Sequence, residues 1–294
     1  MSKIGISGHL AYDHLLRYKD NFKRNLSASQ FINCSFVLSE KLVSFGGCAG
    51  NIAYGLAQLG ADFDMYGVLG SLDSNDYLDR FKKFNIPSEN VVIIPNSYTA
   101  CAYIATDNES QQLTFFMSNA AVLASSDVYK FAKTDYEIFI VSPDSVNCMI
   151  EAYEFTEKHN IPLVFDPGQQ ISAFQRDKFL EILEYSEFLI LNKEEMALIK
   201  DIFQLKDFEI YNKASYVIIT DGFKPINVVN SELNINEYFD TLPAKNPIDP
   251  TGCGDAFRAG FFTEYLQSKD IASSVHAGNS LAVKCIGSAT TQDY

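Results

Sequence analysis

The sequence predicts an α/β protein built on a mainly parallel β-sheet that is covered by helices on both faces. Short apolar segments of strand length alternate along the chain with longer segments in which apolar residues recur at helical spacing. This alternation is typical of βαβ units, whose right-handed crossovers bring successive parallel strands into one sheet. At 294 residues and 47% apolar content, the chain is long enough to bury a large core. We therefore expect one α/β domain over residues 1–294.

The predicted elements follow one another in a regular order. The first βαβ unit combines a strand at residues 3–7, a helix at 52–59 and a strand at 63–68. The later strands are predicted at residues 138–142, 163–166, 188–191 and 216–220. The later helices are predicted at residues 146–159, 176–185, 194–199, 253–267 and 271–286. Ligands of such sheets bind beyond the carboxyl ends of the strands, so the site is expected at that edge.

Two β-rich segments interrupt this alternation. They lie within about residues 15–45 and 97–118, and the second contains a predicted turn between two strands at residues 106–110. Strands inserted beside the carboxyl edge of the main sheet would form a small lid over a ligand site, and such a lid excludes water. The alternative is a β-meander that extends the main sheet.

Composition and charge exclude several classes of function. A formal net charge of −14 leaves no basic face for a nucleic acid partner. The longest apolar runs are too short to cross a bilayer, and the first residues lack the basic start and apolar core of a signal peptide. We therefore expect a cytoplasmic protein with no membrane partner. The six cysteines include no Cys-x-x-Cys pair, which argues against a zinc site and a disulfide framework.

The most informative segment is residues 249–262, where a turn of small residues and a carboxylate precede a predicted helix. Gly252 and Gly254 allow the backbone to turn tightly and to approach a ligand closely. The free N–H groups and the positive dipole end of a helix N-terminus favour a phosphate there. Asp255 then lies within reach of the group that receives this phosphate, and an Asp of ordinary pKa, about 3.9, is ionised at neutral pH. The alternative is an ordinary helix start with an Asp cap.

Three segments together resemble the motifs of the ribokinase-like (PfkB) family of carbohydrate and nucleoside kinases. They are Asp249-Pro-Thr-Gly-Cys-Gly-Asp255, Gly46-Gly47-Cys-Ala-Gly-Asn51 and Asn192-Lys-Glu-Glu195, in the family's order. The resemblance implies a ribokinase-like fold with a β-lid and an ATP-dependent phosphotransferase activity. It also implies that Asp255 is the catalytic base and that the loop of Gly252, Cys253 and Gly254 holds the transferring phosphate.

Several residues are candidates for the acceptor site. Asp13, which follows the first strand, can accept hydrogen bonds from two hydroxyl groups of a ribose-like diol, and the alternative is a surface Asp that caps a turn. In the family, the positions of Gly46, Gly47 and Asn51 bind the sugar. The alternative for Asn51 is N-capping of the helix that follows it.

Part of the sequence resembles the bacterial adenosine kinases of this family more than its ribokinases. The segments concerned are residues 5–14, 165–170 and 289–294. Gln169 and Gln170 offer amide groups suited to the edge of a nucleobase. Tyr103 and Phe116 are candidates for stacking on the base, and the alternative is that both are core residues of strands. The resemblance implies transfer to the 5′-hydroxyl of a nucleoside, with adenosine as the first candidate. The alternative is a ribokinase-like kinase that acts on ribose or another free sugar.

The resemblance also implies a nucleotide and metal site. Asn192 would reach the ATP phosphates and Glu195 would orient the water shell of Mg²⁺, although the same spacing also satisfies a helix capping box. The other positions implied for the ATP site are Thr220, Gly222 and Asn279, of which Asn279 can equally be a surface residue. Asp249 and the Thr251 carbonyl match positions that hold a monovalent cation in some members, and oxygen ligands of this kind suit K⁺.

Other functions fit the sequence less well. A dehydrogenase would need a Gly-x-Gly-x-x-Gly turn, but Phe257 stands where the third glycine would follow Gly252 and Gly254. A P-loop NTPase would need a Gly-Lys pair, which is absent from the sequence. A non-catalytic sugar-binding regulator remains an alternative, although it would not need Asp255. The expected assembly is a monomer or a homodimer formed through the lid.

Overall fold

The computed structural model describes residues 3–23, 35–109, 111–123, 126–129 and 132–294. Its strands are β1 (Lys3–Ser7), β2 (Ala11–Arg17), β3 (Glu40–Gly46), β4 (Asp62–Gly70), β5 (Val91–Ile94), β6 (Ala100–Thr106), β7 (Gln112–Met117), β8 (Ile138–Val141), β9 (Leu163–Phe165), β10 (Ser186–Asn192), β11 (Tyr216–Asp221), β12 (Lys224–Asn230) and β13 (Ile235–Phe239). The helices of this part of the chain are α1 (Cys48–Gln58), α2 (Ser74–Phe84), α3 (Val146–His159), α4 (Arg176–Tyr185), α5 (Lys193–Phe203), α6 (Asp207–Tyr211), α7 (Cys253–Ser268) and α8 (Ile271–Ile286).

The main sheet has nine strands in the order β13-β12-β11-β10-β9-β8-β1-β4-β5. Its strands pair in parallel from β11 to β5, whereas β12 and β13 add an antiparallel hairpin at one edge. The central strands are apolar along their length, and every residue of β8 is buried. Strands with this pattern are covered on both faces, which confirms the predicted mainly parallel architecture.

Each face of the main sheet has its own apolar core. On one face, α1, α7 and α8 pack over aromatic residues that include Phe188 and Phe261. On the other face, α3, α4, α5 and α6 cover a second core that contains Phe165, Phe179 and Phe203. The helices that carry the glycine-rich segments therefore lie together on one side of the sheet.

A second, four-stranded sheet has the order β3-β2-β6-β7. In its register Asp13 lies opposite Ser44 and Ala102, and Ala102 lies opposite Phe116. These four side chains therefore share one face. The strands form a separate sheet and do not extend the main sheet, so the β-meander alternative is wrong. Residues 24–34, which fall in the range predicted for the lid, lie outside the described residues.

The structure differs from the predicted elements at several places along the chain. Helix α1 begins at Cys48, so Asn51 lies inside the helix and Gly47 occupies the N-cap position. The elements that were not predicted are β2, α2, β5, α6 and the hairpin of β12 and β13. Across the described ranges, no helix is long and apolar enough to cross a membrane.

Candidate active site

The segment predicted to hold the transferring phosphate, called the phosphate loop below, lies at the N-terminus of α7. Gly252 is the N-cap residue with a φ of 77°, and a Cβ atom there would lie 2.8 Å from Cγ2 of Thr291. A left-handed backbone with so little space requires glycine. The amide of Cys253 donates to the carbonyl oxygen of Pro250 at 3.2 Å, so the turn itself already uses this donor. Anion binding would therefore depend on the amides that follow Cys253 in the first turn.

Asp255 is buried in this first turn and has a defined hydrogen-bond partner. The Nδ2 atom of Asn51 donates to Oδ2 of Asp255 at 2.8 Å. Burial raises the pKa of Asp255, while the charge of Arg258 and the Asn51 hydrogen bond lower it. The expectation of an ordinary pKa is therefore wrong, because the carboxyl group is desolvated. The N-capping alternative for Asn51 is also wrong, because the residue lies within α1 and faces Asp255.

Arg258 lines the candidate site and was not predicted from the sequence. Its Nε atom lies 2.7 Å from Oδ2 of Asp166, and both side chains are buried. The Nη1 atom is 2.8 Å from the position that a Cβ on Gly254 would occupy, so the guanidinium group lies directly against the phosphate loop. Burial raises the pKa of Asp166 to about 7, with Arg258 opposing that shift. The signal in the sequence was a single charged residue within the apolar stretch of α7.

The phosphate loop opens into a cleft of about 350 Å³ at the carboxyl ends of the strands. The cleft is lined by residues from all parts of the predicted nucleotide site: Asn192, Glu195, Thr220, Gly222, Gly252, Cys253, Gly254, Asp255 and Asn279. Gln169, Asp166 and Arg258 line the same cleft. The structure therefore brings the predicted catalytic and nucleotide residues into one space, although they come from distant parts of the chain.

Two of the residues predicted for the nucleotide site have structural roles, and a third is buried. Asn192 and Glu195 form a capping box at the start of α5, in which each side chain accepts a hydrogen bond from the other's backbone amide at 2.8 Å. The capping alternative is thus confirmed, and both residues still line the cleft. Asn279 is buried and its Nδ2 atom donates to the Asp240 carbonyl oxygen at 3.4 Å, so the surface alternative is wrong.

Asp13 lies on β2 of the small sheet and not in a turn. Its Oδ2 atom is 2.1 Å from the position that a Cβ on Gly46 would occupy, so the carboxyl group packs onto the backbone of β3. Burial raises the pKa of Asp13 to about 7, and the charges of Asp255 and Asp249 add to this effect. The turn-capping alternative is therefore wrong, and Asp13 is electrostatically coupled to the phosphate loop.

The two candidate stacking residues lie on opposite faces of the small sheet. Phe116 shares the face of Asp13 and is 41% exposed, and its ring contacts His9 edge-on at 4.9 Å. Tyr103 is on the other face, is 36% exposed and stacks on His14 at 4.5 Å. Neither is a buried core residue. Because alternate residues of a strand point to opposite faces, Tyr103 is directed away from an acceptor that binds beside Asp13, which corrects its predicted role.

The remaining predicted residues lie around these two regions. Gln169 and Gln170 belong to a short 3₁₀ helix, Gly168–Ala173, which follows β9. Asp249 and Thr251 line a small cavity of about 10 Å³ beside Asp13. The Oδ1 atom of Asp249 accepts a hydrogen bond from the Thr251 amide at 2.8 Å.

In the described part of the chain, protein side chains alone do not form a complete metal-binding site. Among residues 3–23, 35–109, 111–123, 126–129 and 132–294, no group of three or more His, Cys, Asp or Glu side chains is placed to hold a metal ion. The cysteines in the same part of the chain are free thiols.

Comparison with known proteins gives a consistent result. The family model for pfkB family carbohydrate kinases matches residues 39–293. A nucleoside kinase from Burkholderia thailandensis in complex with inosine is 31% identical, with a TM-score of 0.91 over 99% of this chain and 93% of that one. Its ligand-free form gives a TM-score of 0.83 over 99% of this chain and 96% of that one, at the same 31% identity. A nucleoside kinase from Methanocaldococcus jannaschii is 26% identical over 92% of this chain and 86% of its own length.

Proposed function

This chain belongs to the pfkB family of carbohydrate kinases and has the ribokinase-like fold, and on that premise we propose that it phosphorylates the 5′-hydroxyl of a nucleoside with ATP. Phosphotransferase activity follows from the family, and the relatives compared above are nucleoside kinases. The observation that carries the proposal is the buried Asp255 carboxylate, which is held by Asn51 beside the phosphate loop. A regulator without catalytic activity would have no use for this arrangement.

In the proposed reaction Asp255 is the base. The acceptor 5′-hydroxyl oxygen forms a bond to the γ-phosphorus of ATP, the bond from that phosphorus to the bridging oxygen breaks, and ADP leaves. The hydroxyl proton passes to Asp255. Burial raises the pKa of Asp255, and Arg258 and Asn51 oppose that shift because both favour the ionised form that accepts the proton. Phosphoryl transfer depends mainly on positioning and electrostatic stabilisation, and the buried guanidinium group of Arg258 adds positive charge beside the phosphate loop.

The residues of the cleft fit Mg²⁺ that is bound mainly through phosphate and water oxygens. Asp166, Glu195 and Asp255 supply carboxylates to the cleft, but the described residues form no cluster that would strip the ion of its water. Mg²⁺ usually keeps several waters and binds through one or two carboxylates and substrate phosphates. We assign Glu195 to the water shell of the ion. When bound, Mg²⁺ would neutralise charge on the phosphates.

Adenosine is the first candidate among nucleosides. The proposal rests on the amide groups of Gln169 and Gln170 for the edge of the base, on Phe116 for stacking, and on Asp13 for the ribose hydroxyls. The relative from Burkholderia thailandensis, which is 31% identical to this chain, was solved in complex with inosine, and this also favours a purine nucleoside. Free ribose would engage Asp13 and Asn51 but not the two glutamines.

Two further parts of the proposal concern the surroundings of the site. The cavity beside Asp249 and Thr251 has room for a single small ion, and we assign it to K⁺.

The small sheet would act as a lid whose Asp13 face covers the acceptor. Its other face exposes Val43, Phe115 and Met117, which favours a homodimer formed through the lid over a monomer. Light scattering would decide the assembly, and replacing K⁺ by tetramethylammonium in the assay would test the ion.

The proposed function is tested by measuring ADP release with adenosine, inosine, ribose and fructose as acceptors. Turnover of nucleosides, with adenosine preferred, is the expected result. Asp255→Asn should lower kcat roughly 10²- to 10⁴-fold, as expected for loss of a general base. The surface variant Asp79→Asn is the matched control and should keep full activity. Turnover of a free sugar but of no nucleoside would instead support the sugar-kinase alternative.

A further inference from the structure

The segment that follows α8 contributes two buried polar side chains near the site. Residues 289–294 pack against α1 and α2, and the side chains of Thr291 and Gln292 are almost completely buried, with Gln292 only 1% exposed. Buried polar groups of this kind need hydrogen-bond partners. The partners of Gln292 lie on both helices and lead directly to the proposed base.

The direction of each hydrogen bond in this network is fixed by chemistry. The Nε atom of Arg80 lies 3.2 Å from Oε1 of Gln292, and a guanidinium group can only donate. The other end of the Gln292 amide must therefore be its NH₂ group. This nitrogen donates to Oδ1 of Asn51 at 3.1 Å and lies 3.2 Å from the Tyr77 hydroxyl oxygen.

The orientation of Asn51 follows from that of Gln292. Because Oδ1 of Asn51 accepts from Gln292, the NH₂ group of Asn51 must point the other way, where it donates to Oδ2 of Asp255 at 2.8 Å. Thr291 supports the same orientation only in part. Its hydroxyl group lies 2.9 Å from both Oδ1 of Asn51 and the Phe45 carbonyl oxygen, and it has one proton to share.

We propose that Arg80 and Gln292 are positioning residues for catalysis, which fix the Asn51 amide so that it holds one oxygen of Asp255 and leaves the other to receive the acceptor proton. This inference rests on the proposed role of Asp255 as the base. A reversed Asn51 amide would place an oxygen against the carboxylate, and Asp255 would then rotate out of line with the acceptor hydroxyl.

The variant that tests this proposal is Gln292→Glu, which changes one NH₂ group into an oxygen and keeps the shape of the side chain. The introduced carboxylate can still accept from Arg80 but cannot donate to Asn51, so the Asn51 amide is expected to reverse. We expect kcat to fall roughly 10- to 100-fold, the range for losing one hydrogen bond to a charged group. The KM values for ATP and adenosine should stay close to those of the wild type, because Gln292 is not assigned to either ligand.

Asp293→Asn is the matched control. It changes a carboxylate into an amide of the same shape at the residue that follows Gln292. The Oδ1 atom of Asp293 also contacts Arg80, at 2.9 Å, but the substitution does not alter the Gln292 amide. Its kcat should equal that of the wild type. If the melting temperature shows that Gln292→Glu does not fold, Gln292→Met replaces it. Methionine cannot hydrogen-bond to Asn51 in this way, so the Asn51 amide can take either orientation. We then expect a smaller loss of kcat at unchanged KM.

The outcomes separate this inference from the proposed function. A folded Gln292→Glu variant with wild-type kcat, or an equal loss of kcat in Asp293→Asn, would overturn the positioning role. Asp255→Asn with wild-type turnover would remove the base itself and thus refute the proposed function. In the double variant, Gln292→Glu should cause no further loss beyond that of Asp255→Asn, whereas an additional loss of the same size would show that Gln292 acts elsewhere.

Discussion

The substitution Asp13→Asn should stabilise the protein at alkaline pH. The pKa of Asp13 in the folded protein is about 7, because the carboxyl group is buried and faces the negative charges of Asp255 and Asp249. In an unfolded chain the pKa of an Asp is about 3.9. When the pKa of a carboxyl group is higher in the folded protein than in the unfolded chain, the protonated group stabilises the folded protein. This stabilisation is complete at pH values below the pKa in the unfolded chain, and it is lost as the pH rises through the pKa in the folded protein.

The size of the effect follows from the difference between the two pKa values. At about 1.36 kcal/mol per pH unit, ionisation of Asp13 costs the folded wild type roughly 4 kcal/mol once the pH exceeds about 8. Roughly 2–3 kcal/mol of this cost arises between about pH 5 and about pH 8. An Asn at this position does not titrate. The stability of Asp13→Asn relative to wild type should therefore increase by that amount over the same interval.

Urea unfolding of both proteins at about pH 5 and about pH 8, without ligands or added metal ions, measures this change. Asp79→Asn is the control, because its carboxylate is 75% exposed and exposed charges contribute little to stability. A stability difference between Asp13→Asn and wild type that does not grow with pH would show that Asp13 is solvated or paired in the folded protein, and would refute the expected cost of ionising it.

Three other perturbations test separate parts of the site. Arg258→Gln should destabilise the protein by about 3–5 kcal/mol in urea unfolding, because it leaves Asp166 buried without its charged partner, and a loss below 1 kcal/mol would contradict the buried pair. Removal of divalent ions with EDTA should abolish ADP release and Mg²⁺ should restore it, since phosphate charge needs a metal in a chain of net charge −14. Gly46→Ala should weaken stability or acceptor binding by about 1–3 kcal/mol, because a methyl group collides with Asp13; an unchanged melting temperature and KM would refute this.

Much of the main sheet and its helices could be predicted because local signals mark their ends. The helix at residues 146–159 was predicted with its observed bounds, since Ser145 caps its start and Asn160 ends it in a left-handed conformation. The helix at residues 271–286 likewise begins after the capping residue Asp270. Such signals depend only on neighbouring residues and can therefore be read from the sequence.

The parts that could not be predicted depend on contacts between distant residues. The family resemblance made Asn51 a candidate site residue, but its hydrogen bond to Asp255 spans 204 positions and depends on how α1 packs on α7. The pairing of Arg258 with Asp166 is hidden for the same reason. Tyr103 points to one face of the small sheet because of the register in which β6 pairs with β2. No local pattern in the sequence determines this register.

The separation of the site residues along the chain has a consequence for refolding. Gln292 is 241 positions from Asn51 and Asn51 is 204 positions from Asp255, so the network exists only after segments from widely separated parts of the sequence have docked. Contacts of such long sequence separation form slowly, because loop closure must precede them. Recovery of kinase activity after dilution from urea should therefore follow the slowest phase of folding and not the earlier return of helical circular dichroism.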